Sequence, residues 1–397
     1  MDIVHSDRQL SVLMLSSDYL PQIGGVASHV HHLSRALVRQ GVAVTVLNPV
    51  AEGSGPSASR LEEQDGVLVA RVAWTPSGNK LLDVAARVRA CMKAVHHVPA
   101  FDLLHQHDYR SSVVIAQVLS RRYRSAFVYT NHTSDFLANA TRAKQRVMDR
   151  LAWTGADALI APSKELKDVT EAVLKQPAIR VPNGVALESF RLRVAEPEGP
   201  DFVVLCPRRM DPKNGVEFLA LALQLLPAPR QHAKWRIVFM GDGDSVNVDR
   251  TYADKVRQIT LSAPRHVRVD FVGNVPPSEM PEWYRRAHVV AMPSLVEAIS
   301  LSALEGMATG VPVVASRVGG LAELVLDGET GVLVPPRDPE SLADALQMLE
   351  ADADARHRLA QSARREVERQ YSWDHVAAET AAVYRNAMRR TGARSLT

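Results

Sequence analysis

Pro293-Ser294-Leu295-Val296-Glu297-Ala298-Ile299-Ser300-Leu301-Ser302-Ala303-Leu304-Glu305-Gly306-Met307-Ala308-Thr309-Gly310 is the stretch that decides the fold of this chain. It reads as the end of a buried strand, a short turn carrying Glu297, then a helix whose second turn carries Glu305 and which stops at Gly310. Two acids therefore flank a helix N-terminus. Free backbone N–H groups and the positive end of the helix dipole favour phosphate there, while carboxylates accept hydrogen bonds from paired sugar hydroxyls. A ligand anionic in the middle and hydroxylated at both ends, such as a nucleotide-sugar, fits that arrangement.

Working outward, short apolar runs alternate with helical patterns along the chain, the signature of parallel sheets covered on both faces. Strand candidates in the first half are 11–16, 42–48, 67–72, 103–107, 127–131, 158–161 and 179–181. The pattern dissolves over 191–201, a proline- and charge-rich stretch suited to an interdomain linker. A second wound set follows at 202–206, 235–240, 267–272, 289–292, 311–315 and 331–334. Beyond Pro335 the chain is helical and polar, and residues from Trp373 to Tyr384 lead to its end.

Composition narrows the class. With 397 residues, 46% hydrophobic and 23% charged, the chain suits two or three globular domains. No apolar run reaches the roughly 18 residues that span a bilayer, and the N-terminus lacks a secretory layout, so a cytosolic location is expected. Cys91 and Cys206 lie far apart and outside any Cys-x-x-Cys pair, which predicts buried free thiols rather than a disulfide framework or zinc site. The N-terminal half is the basic one. Arg121-Arg122-Tyr123-Arg124 and Arg142-Ala143-Lys144-Gln145-Arg146 concentrate that charge, suiting an anionic acceptor or peripheral contact with an acidic membrane surface. Nothing resembles a nucleic-acid motif.

Three further segments carry candidate chemistry. Gly24 and Gly25 stand at a helix start after the first strand, where glycine lets the backbone approach a ligand and helix amides meet phosphate. Their spacing is not the Gly-x-Gly-x-x-Gly fingerprint of a dehydrogenase. Arg208-Arg209-Met210-Asp211-Pro212-Lys213-Asn214-Gly215 follows the first strand of the second half, and His132 ends a strand of the first. His29, His32, His105 and His107 lack accompanying carboxylates and are not read as metal ligands. Met240-Gly241-Asp242-Gly243-Asp244 reads as a turn near a nucleotide rather than an Asp-x-Asp metal clamp.

The Glu297 and Glu305 pair, the run from Glu305 to Ala315, Gly319-Gly320, Gly24-Gly25-Val26, Val181-Pro182-Asn183-Gly184-Val185 and Phe271-Val272-Gly273 together resemble the retaining glycosyltransferases of family 4. The likeness runs over nearly the whole chain. It implies an α/β GT-B fold, in which two Rossmann-like doubly wound parallel-sheet domains face across a cleft and the C-terminal helix crosses back to the N-terminal domain. The expected division is an acceptor-binding domain over 1–195 with 372–397, and a donor-binding domain over 196–371.

The resemblance also assigns roles. Arg209 and Lys213 would neutralise the departing diphosphate; with Gly215 aligned to the family glycine, Asn214 takes the family lysine position and Lys213 falls one place early. Gly24, Gly25, Gly241, Ser300 and Leu301 would line the donor, with Glu297 on the sugar, Glu305 on the ribose and His132 beside the transferred ring. Ile299-Ser300 stands where many relatives carry Phe-Gly, so packing against the sugar differs. The expected activity is metal-independent, cofactor-free, retaining transfer of a hexosyl unit from a UDP- or GDP-sugar to a glycolipid, polysaccharide or small-molecule acceptor. Its alternatives are a sugar-nucleotide epimerase and a non-catalytic nucleotide-sugar-binding regulatory partner.

Overall fold

The computed structural model describes residues 9–22, 24–53, 60–108, 112–132, 150, 153, 155–241 and 250–394. The chain divides into two compact units, Met1–Gly184 with Trp373–Thr397, and Val185–Ser372.

The first unit is built on β1 (Ser11–Leu15), β2 (Ala43–Ala51), β3 (Arg60–Gln64), β4 (Val67–Trp74), β5 (Leu103–Gln106), β6 (Ala126–Thr130), β7 (Ala158–Ala161) and β8 (Ala178–Arg180). Among the described residues these form one eight-stranded sheet, ordered β3-β4-β2-β1-β5-β6-β7-β8. Leu13 pairs with Thr45 on one side and Leu104 on the other, in parallel ladders. Strands buried on both faces are apolar throughout, which is why most of them stand out in the sequence. Strand β3 does not. Its residues Arg-Leu-Glu-Glu-Gln are polar, it runs antiparallel to β4 at the sheet edge, and Glu62 receives Arg71 Nε at 2.8 Å.

The last helix, Trp373–Arg394, belongs to this first unit. It lies against helix Gly25–Arg39 and β6. Tyr384 is fully buried and its hydroxyl lies 2.7 Å from His105 Nδ1, whose Nε2 is 2.7 Å from Thr130 Oγ1.

The second unit holds β9 (Asp201–Cys206), β10 (Lys234–Phe239), β11 (Val267–Phe271), β12 (Val289–Met292), β13 (Val313–Ser316) and β14 (Val332–Val334). Their order is β11-β10-β9-β12-β13-β14, all parallel. Phe202, Val204, Trp235, Ile237 and Phe239 form its core with Leu342 and Leu346 of helix Pro339–Ala351. That helix starts on Asp338, whose carboxylate accepts from the Ser341 amide at 3.0 Å, with Pro339 at its first position.

The stretch 191–201 is not a free tether. The Arg193 amide donates to Thr309 O at 3.0 Å, its guanidinium to Ala287 O at 2.5 Å, and Arg356 holds Glu196 through two bonds of 2.8 and 2.7 Å. The segment is therefore part of the second unit, and the division falls at Gly184/Val185 rather than at 195/196. Its prolines and charges suggested solvent; paired guanidinium contacts fasten it instead. Cys91 and Cys206 are buried free thiols, each pushed up to about 12 by desolvation. Among the described residues no helix is long and apolar enough to cross a membrane.

Candidate functional site

In the second unit, β9 and β12 lie side by side although β10 and β11 separate them in sequence, because successive strands wind outward from this pair in opposite directions. Open parallel sheets bind ligands at such a reversal, beyond the carboxyl ends of the strands. The loops that leave these two ends carry Arg208 and Glu297.

Arg208 Nη2 lies 2.5 Å from Glu297 Oε2, both side chains being about seven-eighths enclosed at 13% and 14% exposure. The same nitrogen donates to Asn214 Oδ1 at 2.6 Å, and Asn214 Nδ2 donates to Arg209 O at 2.9 Å. Asn214 thus turns Arg208 inward, while the side chain of Arg209 is exposed. Lys213 is exposed too, with Nζ 4.0 Å from Asp211 Oδ2. Its carbonyl accepts from the amides of Leu295 and Val296 at 2.8 and 3.3 Å, tying the two loops together. The loops meet so closely at Gly215, whose φ is +61°, that a Cβ there would stand 2.0 Å from Pro293 O.

A third loop, after β13, closes the group. The Gly320 amide donates to Glu297 O at 2.8 Å, and a Cβ on Gly320 would fall 2.0 Å from Ala298 O. Helix Leu301–Thr309 begins on Ser300, whose Oγ accepts from the Ala303 amide at 3.2 Å. Ile299 lies in the connecting turn, and Leu301 opens the helix. Gly241, after β10, accepts at its carbonyl from the Met210 amide at 3.2 Å. Asp242 and Asp244 lie outside the described residues. Arg208 Nε and Ser294 Oγ are buried and make no hydrogen bond among the described residues, while Glu297 Oε2 is taken by Arg208 Nη2. Buried polar atoms are nearly always partnered, so these two mark a place beside the ion pair where a polar ligand completes the set.

Glu305 is held differently. Tyr284 lies with its hydroxyl 2.8 Å from Glu305 Oε2 and 3.0 Å from Ser302 O. Burial raises the Glu305 carboxyl to about 7, opposed by the Tyr284 hydrogen bond. A hydroxyl has one proton to give. With Glu305 protonated, its O–H donates to Tyr284 and Tyr284 donates to Ser302 O, which satisfies all three groups.

In the first unit the corresponding reversal is at β1 and β5. Gly24 precedes helix Gly25–Arg39 with no side-chain cap, and a Cβ on either glycine would meet nothing within 4 Å. His107 follows β5, His132 follows β6, and His29 enters from that helix. His107 Nδ1 and His132 Nε2 are 3.1 Å apart, and His29 Nδ1 is 2.9 Å from Asn183 Oδ1. Burial lowers all three, His29 to about 4. Asp108 accepts from the Ser17 amide at 2.8 and 2.9 Å and from Ser112 Oγ at 2.5 Å, bracing the loop after β5.

Sequence reasoning selected Arg209 and passed over Arg208, Asn183, Tyr284 and Ser294. The double arginine was the one available signal, and only the loop's hydrogen bonds decide which guanidinium turns inward. A cavity of about 690 Å³ in the second unit, lined by Leu326, Met348, Arg358 and Arg365, includes none of the site residues. The basic run 142–146 lies outside the described residues; Arg121 lines a groove with Tyr123 and Arg124 at the opposite, amino-terminal ends of β5 and β6.

Two Rossmann-like parallel-sheet units, with the last helix returned to the first, define a glycosyltransferase of the GT-B class. Residues 23–189 match Glycosyltransferase Family 4 and residues 190–366 match Glycosyl transferases group 1. A D-inositol 3-phosphate glycosyltransferase from Xylanimonas cellulosilytica is 32% identical over 407 residues, covering 94% of each chain. Among solved structures, sucrose-phosphate synthase from Thermosynechococcus elongatus aligns with a TM-score of 0.78 at 24% identity, over 95% of this chain and 98% of that one. Anabaena HepE in complex with UDP and glucose aligns at 0.74 and 19% identity, over 94% of this chain and 99% of that one. The chain belongs to the family 4 glycosyltransferases.

Proposed function

We propose that this glycosyltransferase moves a hexosyl unit, with retention of anomeric configuration, from a nucleoside-diphosphate sugar to a hydroxyl acceptor. The observation that carries this reading is the pair of unpartnered buried atoms, Arg208 Nε and Ser294 Oγ, beside the Arg208–Glu297 ion pair at the strand reversal of the second unit. Glu297 accepts from sugar hydroxyls, Glu305 from the ribose, and the amides at the start of helix Leu301–Thr309 meet phosphate oxygens. Arg209 and Lys213, exposed on the adjoining loop, supply mobile positive charge to the leaving diphosphate, and Arg208 fixes Glu297. Gly24, Gly25 and His132 are the candidate ligand contacts of the first unit, at its own strand reversal. Uridine is the favoured base, supported by the UDP of the HepE complex.

Retention follows in this reading from a front-face route. The C1–O bond to the diphosphate breaks as the acceptor oxygen approaches the same face, and the departing phosphate takes the acceptor proton. The protein's contribution is electrostatic preorganisation. No metal takes part in this transfer, and the acceptor is a glycolipid, a polysaccharide or a small polyol, including phosphorylated ones. The Arg121, Arg122 and Arg124 cluster, at the amino-terminal ends of β5 and β6, suits contact with an acidic membrane surface.

The test is donor-dependent chemistry on the purified chain. UDP-, GDP- and ADP-sugars are incubated with an acceptor panel, with and without EDTA, and nucleoside diphosphate and product anomer are measured. Acceptor-dependent diphosphate release with a retained anomer, unaffected by EDTA, is expected. Return of an isomerised nucleotide-sugar identifies an epimerase, and donor binding without any product identifies a non-catalytic partner; either result overturns the proposal.

A further inference from the structure

Three histidines of the first unit come together in a way that transfer chemistry does not require. One ring nitrogen from each of His29, His107 and His132 lies within 4.8 Å of the others. They arrive from separate elements, helix Gly25–Arg39 and the loops after β5 and β6. His29 and His107 are buried, and His132 keeps a partly open face.

The hydrogen-bond ledger of the group does not close. Asn183 Oδ1 can only accept, so His29 Nδ1 carries the proton and its Nε2 presents a lone pair. Between His107 Nδ1 and His132 Nε2, at 3.1 Å, one nitrogen donates and the other accepts. In either arrangement His107 Nε2 is left buried with no partner among the described residues, a loss of about 1–3 kcal/mol for an unmet group. His105 next to them is different: Tyr384 and Thr130 occupy both of its nitrogens.

We propose that His29, His107 and His132 bind a zinc-class transition-metal ion. Among the described residues, three imidazoles and no carboxylate form a nitrogen donor set, which suits zinc, cobalt, nickel or copper and not magnesium or calcium. Two ligands at about 2.0–2.1 Å from one tetrahedral ion stand roughly 3.4 Å apart, and one nitrogen from each of the three rings already lies within 4.8 Å of the others, so modest ring movements bring them onto one ion. Asn183 does for His29 what outer partners do for metal-bound imidazoles: it fixes the tautomer and aims the free nitrogen. The partly open side of His132 leaves a fourth position for water or an anionic ligand. The site shares His132 with the proposed transfer chemistry but is argued from the histidine geometry alone, and the ion is given no step in the transfer.

The test uses the full chain stripped with a chelator, then titrated with Zn²⁺ against a chromophoric competitor and with Co²⁺ followed by visible absorption. One equivalent of Zn²⁺, undisturbed by millimolar Mg²⁺, and the absorption of a low-coordinate nitrogen-ligated Co²⁺ are expected. His107→Asn and His29→Asn should each weaken Zn²⁺ at least about tenfold, with melting temperatures close to wild type. Absence of Co²⁺ absorption in the wild-type chain, or Zn²⁺ affinity kept within twofold in both variants, overturns the proposal. Should either variant fail to fold, the wild-type Co²⁺ spectrum alone decides.

Discussion

Arg208 Nη2 and Glu297 Oε2 stand 2.5 Å apart across the ends of β9 and β12, with Asn214 Oδ1 taking a second bond from the same guanidinium at 2.6 Å. Neither charge is free to move without the other, so the carboxylate expected to meet the sugar is aimed by an arginine rather than by its own loop. Coupling follows. In a double-mutant cycle of Arg208→Met and Glu297→Gln, binding of the donor sugar should show an interaction energy of about 0.5–3 kcal/mol. Each single variant should lose about 10²–10³ in turnover. Additive losses would detach Arg208 from the site.

With Glu305 on the ribose, as proposed, donor affinity should depend on pH. Its carboxyl sits near 7 in the free protein, and a ribose hydroxyl donating to the carboxylate lowers it, so binding expels a proton below that pH. Nucleoside-diphosphate affinity should rise as pH goes from 6 to 7.5 and then level, and Glu305→Gln should flatten the curve. Calorimetry in buffers of different ionisation enthalpy measures the released proton directly.

The same group sets a stability trend of opposite sign. Because its folded value lies above the ordinary 4.5, the native state holds a proton that the unfolded chain has lost between about 4.5 and 7. Its contribution therefore falls as pH rises through that window. Glu305→Gln should raise the melting temperature at pH 8 relative to wild type and leave it unchanged at pH 4, as read by thermal denaturation.

Gly320 is set by contact distance. An added methyl would stand 2.0 Å from Ala298 O, and backbone cannot yield as a side-chain tip does. Gly320→Ala should cost about 1–3 kcal/mol through overpacking and lower the melting temperature by several degrees, at roughly 2–4 °C per kcal/mol for a unit of this size.

Gly25 should behave in the opposite way. Nothing lies within 4 Å of its added Cβ, so Gly25→Ala should melt within a degree or two of wild type. It should nevertheless weaken donor binding about tenfold or more if a phosphate approaches that backbone, as KM for the nucleotide-sugar would report. An unchanged KM would remove the loop from the site.

Most of the architecture was legible because strands buried on both faces must be apolar along their length, as in Val289–Met292 and Ala158–Ala161. Strand β3 was not, since its stability comes from backbone pairing with β4 and the Glu62–Arg71 ion pair, neither of which leaves an apolar trace. The role of 191–201 was misread for a related reason: Glu196 and Arg356 are partners 160 residues apart, and each looks solvated on its own. Glu297, Glu305 and Ser300 were readable because a strand–turn–helix keeps them close in sequence. The histidine group was not, because three rings from three elements meet only once the sheet order is fixed. Arg208 and Arg209 are equivalent in sequence, and Asn214 separates them only through its two hydrogen bonds.

The return of helix Trp373–Arg394 to the first unit has a consequence for biogenesis. Val185–Ser372 is one continuous stretch, able to fold as soon as it leaves the ribosome. The unit translated earlier must wait until Trp373 and Tyr384, both buried in it, have emerged. Until then His105 has no hydroxyl for its Nδ1 and the surface awaiting the helix stays uncovered. The usual order, first made and first folded, is therefore inverted, and nascent chains halted before Tyr384 should depend on chaperones most.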